Sequence, residues 1–215
     1  PNIVSLLDQT MVPPTVDGVR DAVPALVFEY VAGGPLLSWT DRPRPWPWVR
    51  RVAEQALTAL AYAHGRGVIH RDIKPSNLLL SGEPANPQLN LLDFGIAAWD
   101  LRRASFGELT PVPVEDDLIP ATRLYMAPEQ AMGIRGDVGP WTDLYSLGVV
   151  LLELLCGSIP FPGEDDEASW QFRVNNRFAP PVHAMAGLGA PLRRFLLRLL
   201  APDSSQRYGW ADDAR

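Results

Sequence analysis

Residues 70–80 read HRDIKPSNLLL, and a second apolar run, LNLL, follows at 89–92. The stretch between the two runs begins with SGEP at 81–84, a combination typical of a turn, so the sequence predicts a small β-hairpin. Asp72 and Asn77 lie five residues apart on the loop that enters this hairpin, and both side chains can therefore face one cavity. A solvated turn of acidic and basic side chains is the alternative interpretation of the same residues.

Two further motifs follow in order, DFG at 93–95 and APE at 127–129. Together with the HRD-containing stretch they resemble the signature of the protein kinase family, H-R-D-L-x-x-x-N, D-F-G and A-P-E. The likeness spans the whole chain, and the stretch 61–77 is similar to the bacterial Hanks-type serine/threonine kinases. Lys74, two residues after Asp72, is a mark of serine/threonine specificity in that family.

The resemblance implies an α+β, protein-kinase-like fold in two unequal parts. Residues 34–215 would form a mainly α-helical C-terminal catalytic lobe, and residues 1–33 the remnant of a nucleotide-binding N-terminal β-lobe with its hinge. The apolar stretches Ile3–Leu7 and Ala25–Val31 are predicted to be the two strands of that remnant. A turn rich in proline, glycine and aspartate is predicted between them.

Hydrophobic periodicity predicts three long helices in the C-terminal part. Apolar residues in Trp48–His64 recur at i, i+3, i+4 and i+7, and Gly65 follows them as a helix stop. Asp143–Leu155 is strongly apolar, and Pro191–Leu200 is amphipathic with arginines on its polar side. Residues 96–121 show no period and are predicted to form a long loop.

The chemistry implied by the resemblance is phosphoryl transfer from ATP, which needs alignment and charge stabilisation more than covalent help from the protein. By resemblance, Asp72 accepts or orients the proton of the substrate hydroxyl, and Lys74 reaches the transferring phosphate. Asn77 and Asp93 offer hard oxygen ligands and would hold Mg²⁺. Arg71 precedes the catalytic aspartate, as in kinases that are regulated through phosphorylation of the activation loop.

The nucleotide side of the site is expected in the segment that links the two parts. The string FEYV at 28–31 resembles a kinase hinge, in which the Glu29 carbonyl and the Val31 amide would bind adenine. Phe28 would be the gatekeeper at the back of the pocket, and Leu79 would form the apolar floor beneath the adenine ring. Ordinary core packing is the alternative interpretation for each of these residues.

Thr122 matches a threonine that, in the family, bridges Asp72 and Lys74 close to the substrate. A phosphorylation site is the alternative interpretation of Thr122. Ser105 and Thr110 are the candidate phosphorylation sites within the predicted loop.

Other positions are expected to support the site without touching substrate. Glu129 and Arg207 match a pair that usually forms a buried salt bridge. Asp143 is expected to bind the backbone at 70–71, although helix N-capping also fits it. His70 has the side chain of a general base, but the resemblance assigns it a structural role beneath the metal-binding motif.

Composition excludes several classes of protein. The chain has 215 residues, with 25 acidic against 19 basic ones and no basic stripe, so we expect no nucleic-acid partner. Cys156 is the only cysteine, which excludes an intrachain disulfide and fits a cytoplasmic location. The longest apolar run, 144–156, is shorter than the roughly 20 residues of a membrane span. We therefore expect a buried helix there and no membrane contact from this segment, while an anchor outside it stays open.

No G-x-G-x-x-G string and no V-A-I-K string occurs in the chain, although active kinases need the glycine-rich loop and the strand lysine. Because the chain opens at Pro1 inside an apolar run, we expect these N-lobe residues upstream and expect the isolated segment to be inactive. The expected substrates are proteins with serine or threonine hydroxyls. The alternative functions are a non-catalytic pseudokinase scaffold or binding module and a small-molecule phosphotransferase.

Overall fold

The structure, a computed structural model, describes residues 2–12, 23–93, 123–133, 137–163 and 165–215. The loop predicted at 96–121, with Ser105 and Thr110, lies outside these ranges, and so does Thr122. The turn predicted between the first two strands also lies outside the described residues.

α-Helices are the main regular elements of the described chain after residue 35. They are α1 (Trp46–His64), α2 (Pro128–Ala131), α3 (Pro140–Cys156), α4 (Asp166–Asn175) and α5 (Ala190–Leu199). The three predicted long helices correspond to α1, α3 and α5 and are confirmed, whereas α2 and α4 have no counterpart in the sequence prediction. Helices α1 and α3 begin earlier than predicted because each has a proline in its first turn, where a missing N–H costs no hydrogen bond.

Helix α3 is the centre of the hydrophobic core. Every residue from Thr142 to Leu154 is buried, and α1, α5 and the 3-10 helix Ala211–Ala214 pack against it. A helix that is apolar on all sides can satisfy its whole surface only inside the protein. The expectation of a buried helix at 144–156 is therefore confirmed. None of the helices in the described ranges combines the length and the apolar character needed to cross a bilayer.

A three-stranded antiparallel sheet lies beside α1. Its strands are β3 (Gly33–Pro35), β4 (Leu78–Glu83) and β5 (Asn86–Leu91), in the order β3-β4-β5. The predicted hairpin is confirmed, but the turn predicted at 81–84 is wrong in position. Strand β4 continues to Glu83, which pairs with Asn86, and the turn consists of Pro84 and Ala85. Residues 81–83 form the solvent-exposed end of β4, which explains why they are not apolar although they belong to a strand.

Strand β3 contains the glycine pair that the sequence marks only as a break. A Cβ atom at Gly33 would lie 1.9 Å from the carbonyl oxygen of Leu80, so a side chain there would force the two strands apart. Gly34, the next residue, has no atom within 4 Å of the same position. Gly33 therefore permits β3 to approach β4, and this pairing brings the segment 28–32 next to β4.

A separate two-stranded ribbon precedes the sheet, formed by β1 (Leu6–Val12) and β2 (Val23–Phe28). Two strands are confirmed here, but their predicted bounds are wrong. Ile3 forms only a single parallel bridge with Leu91, and β2 ends at Phe28 rather than Val31. The leucines of β1 are exposed, Leu6 by 54% and Leu7 by 65%. Because no face of β1 is selected for burial, the pattern of apolar residues does not locate this strand.

We predict that Gly33→Ala lowers the free energy of unfolding by about 1–3 kcal/mol, because the backbone of β3 or β4 must shift to admit the methyl group. Gly34→Ala is the matched control and should change stability by less than about 0.5 kcal/mol. Urea denaturation of the two variants measures the difference. Equal losses would contradict the close approach of β3 to β4.

Candidate active site

Asp143, in the first turns of α3, holds the loop that contains the HRD motif. Its carboxylate accepts hydrogen bonds from the backbone N–H of His70 at 2.8 Å and of Arg71 at 2.7 Å. The Nε2 of His64, at the end of α1, donates to the same carboxylate at 2.8 Å, and Asp143 is fully buried. The predicted contact with the backbone is confirmed. The capping alternative is wrong, because α3 begins earlier and its N-cap is Gly139.

Arg71 has a backbone conformation that is unusual for a residue with a side chain. Its φ is 69°, in the left-handed region, which costs roughly 1–2 kcal/mol for a non-glycine residue. Asp143 binds its N–H, and Gln130 Nε2 donates to its carbonyl at 2.8 Å. Gln130 also accepts from the N–H of Ala127 at 3.1 Å. It therefore joins the APE segment to the loop that contains the HRD motif, residues 70–77, which we call the catalytic loop after its predicted role. These bonds hold the residue immediately before Asp72.

Three of the side chains predicted to be catalytic form one hydrogen-bonded group. Lys74 Nζ lies 2.9 Å from Asp72 Oδ2, and Asn77 Nδ2 donates to the same oxygen at 2.9 Å and to the Asp72 carbonyl at 2.9 Å. Asn77 is buried, and the side chains of Asp72 and Lys74 are 36% and 21% exposed. A freely solvated turn does not describe this group. Because the amide nitrogen of Asn77 points at Asp72, its Oδ1 is the atom left for a metal ion.

His70 lies beneath this group with both ring nitrogens engaged. Nε2 donates to the carbonyl of Leu92 at 2.9 Å, and Nδ1 accepts from the N–H of Asp72 at 3.3 Å. Burial lowers the pKa of His70 below its ordinary value, and the nearby carboxylate of Asp143 opposes that effect without reversing it. Because both ring nitrogens of His70 bind the backbone, the ring supports its neighbours, as the structural interpretation expects, and leaves no nitrogen to act as a general base.

Asp93 follows directly on a residue that is fixed from two sides. The N–H of Leu92 donates to the Asn77 carbonyl at 2.9 Å, while the Leu92 carbonyl accepts from His70. Asp93 itself is exposed and has a φ of 56°. These contacts fix Leu92 against Asn77 and His70. Asp93 is the next residue, and its carboxylate is open to a ligand.

The predicted hinge residues lie between β2 and β3. Phe28 is partly buried at the end of β2, and the Glu29 carboxylate turns back to bind the N–H of Ser5 at 2.8 Å. Among the described residues, neither the Glu29 carbonyl nor the Val31 N–H has a hydrogen-bond partner. Leu79 is partly buried on β4 and is paired with Pro35 of β3. The sheet therefore brings Leu79 close to the segment that contains the hinge.

The predicted salt bridge between Glu129 and Arg207 is present and buried. The two guanidinium terminal nitrogens bind the two carboxylate oxygens at 2.8 and 3.0 Å, a bidentate arrangement. Thr142 Oγ1 donates to the same carboxylate at 2.8 Å, and Arg207 also binds the carbonyls of Ala201 and Pro202. This prediction is confirmed, and the pair fixes the APE segment to the C-terminal part of the core.

Two residues of the site have no counterpart in the sequence prediction, Gln130 and Arg173. Gln130 is the residue after the APE motif, and that adjacency is the one sequence signal that points to it. Arg173, on α4, is 1% exposed and binds the backbone that leads into the APE motif. A single arginine in a helix is typical of a surface position, so nothing in the sequence marks it.

We predict that Glu129→Gln destabilises the protein by roughly 3–5 kcal/mol, because it leaves the Arg207 guanidinium buried without a counter-charge. Glu54→Gln is the control, since Glu54 forms an exposed ion pair with Arg50 and should contribute at most about 1 kcal/mol. Chemical denaturation reports both values. A loss at Glu129 no larger than that at Glu54 would show that the buried pair does not support the fold.

The family model described as the protein kinase domain matches residues 1–214. Serine/threonine-protein kinase Pkn1 of Myxococcus xanthus is 36% identical over 208 residues, which are 96% of this chain and 28% of Pkn1. Serine/threonine-protein kinase PknB of Mycobacterium leprae (strain TN) is 35% identical over 196 residues, 90% of this chain and 29% of PknB.

Among solved structures, that of Rad53 1–466 in complex with AMP-PNP matches with a TM-score of 0.67 at 24% sequence identity. The match covers 100% of this chain and 49% of the Rad53 chain. At that identity the likeness shows the fold alone, and it confirms the predicted α+β architecture. The chain spans less than a third of the length of the curated relatives Pkn1 and PknB.

Proposed function

This chain belongs to the protein kinase domain family, and we propose that the protein containing it transfers the γ-phosphate of ATP to serine and threonine hydroxyls of protein substrates. The observation that carries the proposal is the group formed by Asp72, Lys74 and Asn77 on a loop that Asp143 holds. Residues 1–33 belong in this proposal to a nucleotide-binding lobe, and residues 34–215 to the catalytic lobe.

Asp72 is the residue that receives the substrate hydroxyl. Its Oδ2 is engaged by Lys74 and Asn77, which leaves Oδ1 to accept the hydroxyl hydrogen bond and orient the oxygen for attack. Holding the carboxylate from two sides supplies the alignment on which phosphoryl transfer mainly depends. Lys74 adds a positive charge within reach of the transferring phosphate.

Asn77 and Asp93 fit a magnesium ion by the chemistry of their donors. Asn77 Oδ1 faces away from Asp72, and Asp93 presents an exposed carboxylate, so both offer the hard oxygens that Mg²⁺ binds. Mg²⁺ held by these two residues would neutralise negative charge on the phosphates of ATP. The chain contributes the placement of the two oxygens, through the hydrogen bond that joins the backbone of Asn77 to Leu92.

The adenine end of ATP belongs in this proposal to the hinge. The Glu29 carbonyl and the Val31 N–H have no partner among the described residues, and they are the acceptor and donor that adenine requires. Leu79 and Phe28, both partly buried, supply apolar surface for the ring. The AMP-PNP complex of Rad53 supports nucleotide binding in a protein of this fold.

Regulation and location complete the proposal. Arg71 is exposed beside Asp72 and suits a phosphorylated activation-loop residue. The role of Thr122 rests on the family resemblance alone, because Thr122 lies outside the described residues. The location is cytoplasmic, where ATP is abundant and the half-buried thiol of Cys156 stays reduced.

A pseudokinase scaffold is the second candidate function. It is favoured by the lack of a G-x-G-x-x-G string and of a V-A-I-K string in residues 1–215. The catalytic interpretation is preferred because Asp72, Asn77 and Asp93 are all present, and a hydrogen bond joins the side chains of the first two. The two functions differ in a measurable way, since only a kinase transfers phosphate.

We predict that Asp72→Asn, made in the complete natural protein, lowers the rate of phosphate transfer to myelin basic protein by about 10²–10⁴-fold, because the hydroxyl loses its proton acceptor. The affinity for ATP should stay within about twofold, since Asp72 is not proposed to bind nucleotide. Asp212→Asn, at an exposed ion pair with Arg215, is the control. Radiolabel transfer from ATP gives the rates, and an Asp72→Asn variant with wild-type turnover would exclude the proposed role.

We also predict that residues 1–215 in isolation bind ATP weakly and transfer phosphate poorly, because they lack the glycine-rich loop and strand lysine that an active kinase needs. Calorimetric titration with ATP and the same radiolabel assay test this against the complete natural protein. Turnover by the isolated segment close to that of the complete protein would contradict the prediction.

A further inference from the structure

Arg173 is a buried cation that has no counter-charge among the described residues. It lies on α4, is 1% exposed, and forms no ion pair with a carboxylate among the described residues. Its guanidinium lies 4.6–5.8 Å from the centres of four aromatic rings, those of Tyr145, Phe161, Trp170 and Phe178. Burial of an unpaired cation costs several kcal/mol, so the contacts that offset this cost must be specific.

The guanidinium donates three hydrogen bonds to one short stretch of backbone, residues 123–126, which we name the wall segment. Nη1 donates to the carbonyls of Arg123, at 2.9 Å, and Leu124, and Nη2 donates to the carbonyl of Met126 at 2.7 Å. Nη2 also donates to the Tyr145 hydroxyl at 3.1 Å, which ties it to α3. Three carbonyls of four consecutive residues therefore depend on a single side chain.

The opposite side of the wall segment faces the catalytic loop. A cavity of about 10 Å³, room for one water, lies between them and is lined by Arg71, Asp72, Ile73, Tyr125, Met126 and Ser146. The Tyr125 hydroxyl donates to buried Glu153 of α3 at 2.8 Å, so Tyr125 is held by the core of the protein. The segment that Arg173 holds is thus a wall of the site beside the proposed catalytic carboxylate.

We propose that Arg173 is a positioning residue for the protein substrate: by fixing the backbone of the wall segment, it sets the surface that receives the hydroxyl-bearing polypeptide next to Asp72. The inference rests on the proposed kinase function and assigns Arg173 no contact with nucleotide. Arginine suits the task because its planar group directs several donors to separate carbonyls, whereas lysine has its donors on one atom.

The test is steady-state kinetics of the complete natural protein with myelin basic protein and ATP as substrates. Arg173→Lys should raise the KM for myelin basic protein about tenfold, which is about 1.4 kcal/mol, while the KM for ATP changes by less than about twofold. Hydrolysis of ATP without protein substrate should also be unchanged. Arg177→Lys, an exposed arginine just beyond α4, is the matched control and should behave as wild type.

Loss of folded protein cannot imitate this result, because KM does not depend on the concentration of active enzyme. A milder variant, Tyr145→Phe, keeps the ring but removes the hydroxyl that binds Arg173 Nη2, and it should raise the same KM about twofold to fivefold. An unchanged KM for the protein substrate in both variants, or an equal rise in the KM for ATP, overturns the inference alone. Absence of phosphate transfer by the wild-type protein overturns the proposed function and the inference with it.

Discussion

The site depends on one buried carboxylate. Asp143 is inaccessible to water, and a carboxylate so placed must be satisfied by hydrogen-bond donors from the protein. It finds them in His64 at the end of α1 and in the consecutive N–H groups of His70 and Arg71. This demand fixes the direction in which the chain leaves the core and maintains the left-handed conformation of Arg71. Asp143 therefore positions Asp72, the next residue, through hydrogen bonds to the backbone of His70 and Arg71.

The register of α3 coordinates the two sides of the site. Within its first turns, Thr142 binds the buried carboxylate of Glu129, Asp143 binds the catalytic loop, and Tyr145 binds Arg173. Nearly adjacent residues of one helix thus contact the APE segment, the catalytic loop and Arg173, the side chain that binds the wall segment. Residues Thr142 to Leu154 of α3 are all buried, so the helix lies in the well-packed centre of the protein. The helix therefore gives the wall segment and the loop that contains Asp72 a common support in the core.

Features set by local sequence could be predicted, and features set by packing could not. Periodicity identified the three long helices, and the motif residues identified the hydrogen-bonded group of Asp72, Lys74 and Asn77 and the Glu129–Arg207 pair, because both signals reside in residue type and spacing. The bounds of β1 were misjudged because its leucines are exposed, and β3 was missed because Gly33 reads as a break although it permits close pairing. Arg173 was missed because burial of a charged side chain depends on rings and carbonyls distant in the sequence.

The central claim is that Asp143 and His70 hold the catalytic loop so that Asp72, Asn77 and Asp93 surround one magnesium-bound triphosphate. A crystal structure of the complete natural protein with Mg²⁺ and a non-hydrolysable ATP analogue tests it most directly. The account predicts a metal ion about 2.1 Å from Asn77 Oδ1 and from an oxygen of Asp93, with the terminal phosphate facing Asp72. A nucleotide bound away from the hinge, or a metal ion bound without these two side chains, would contradict the account.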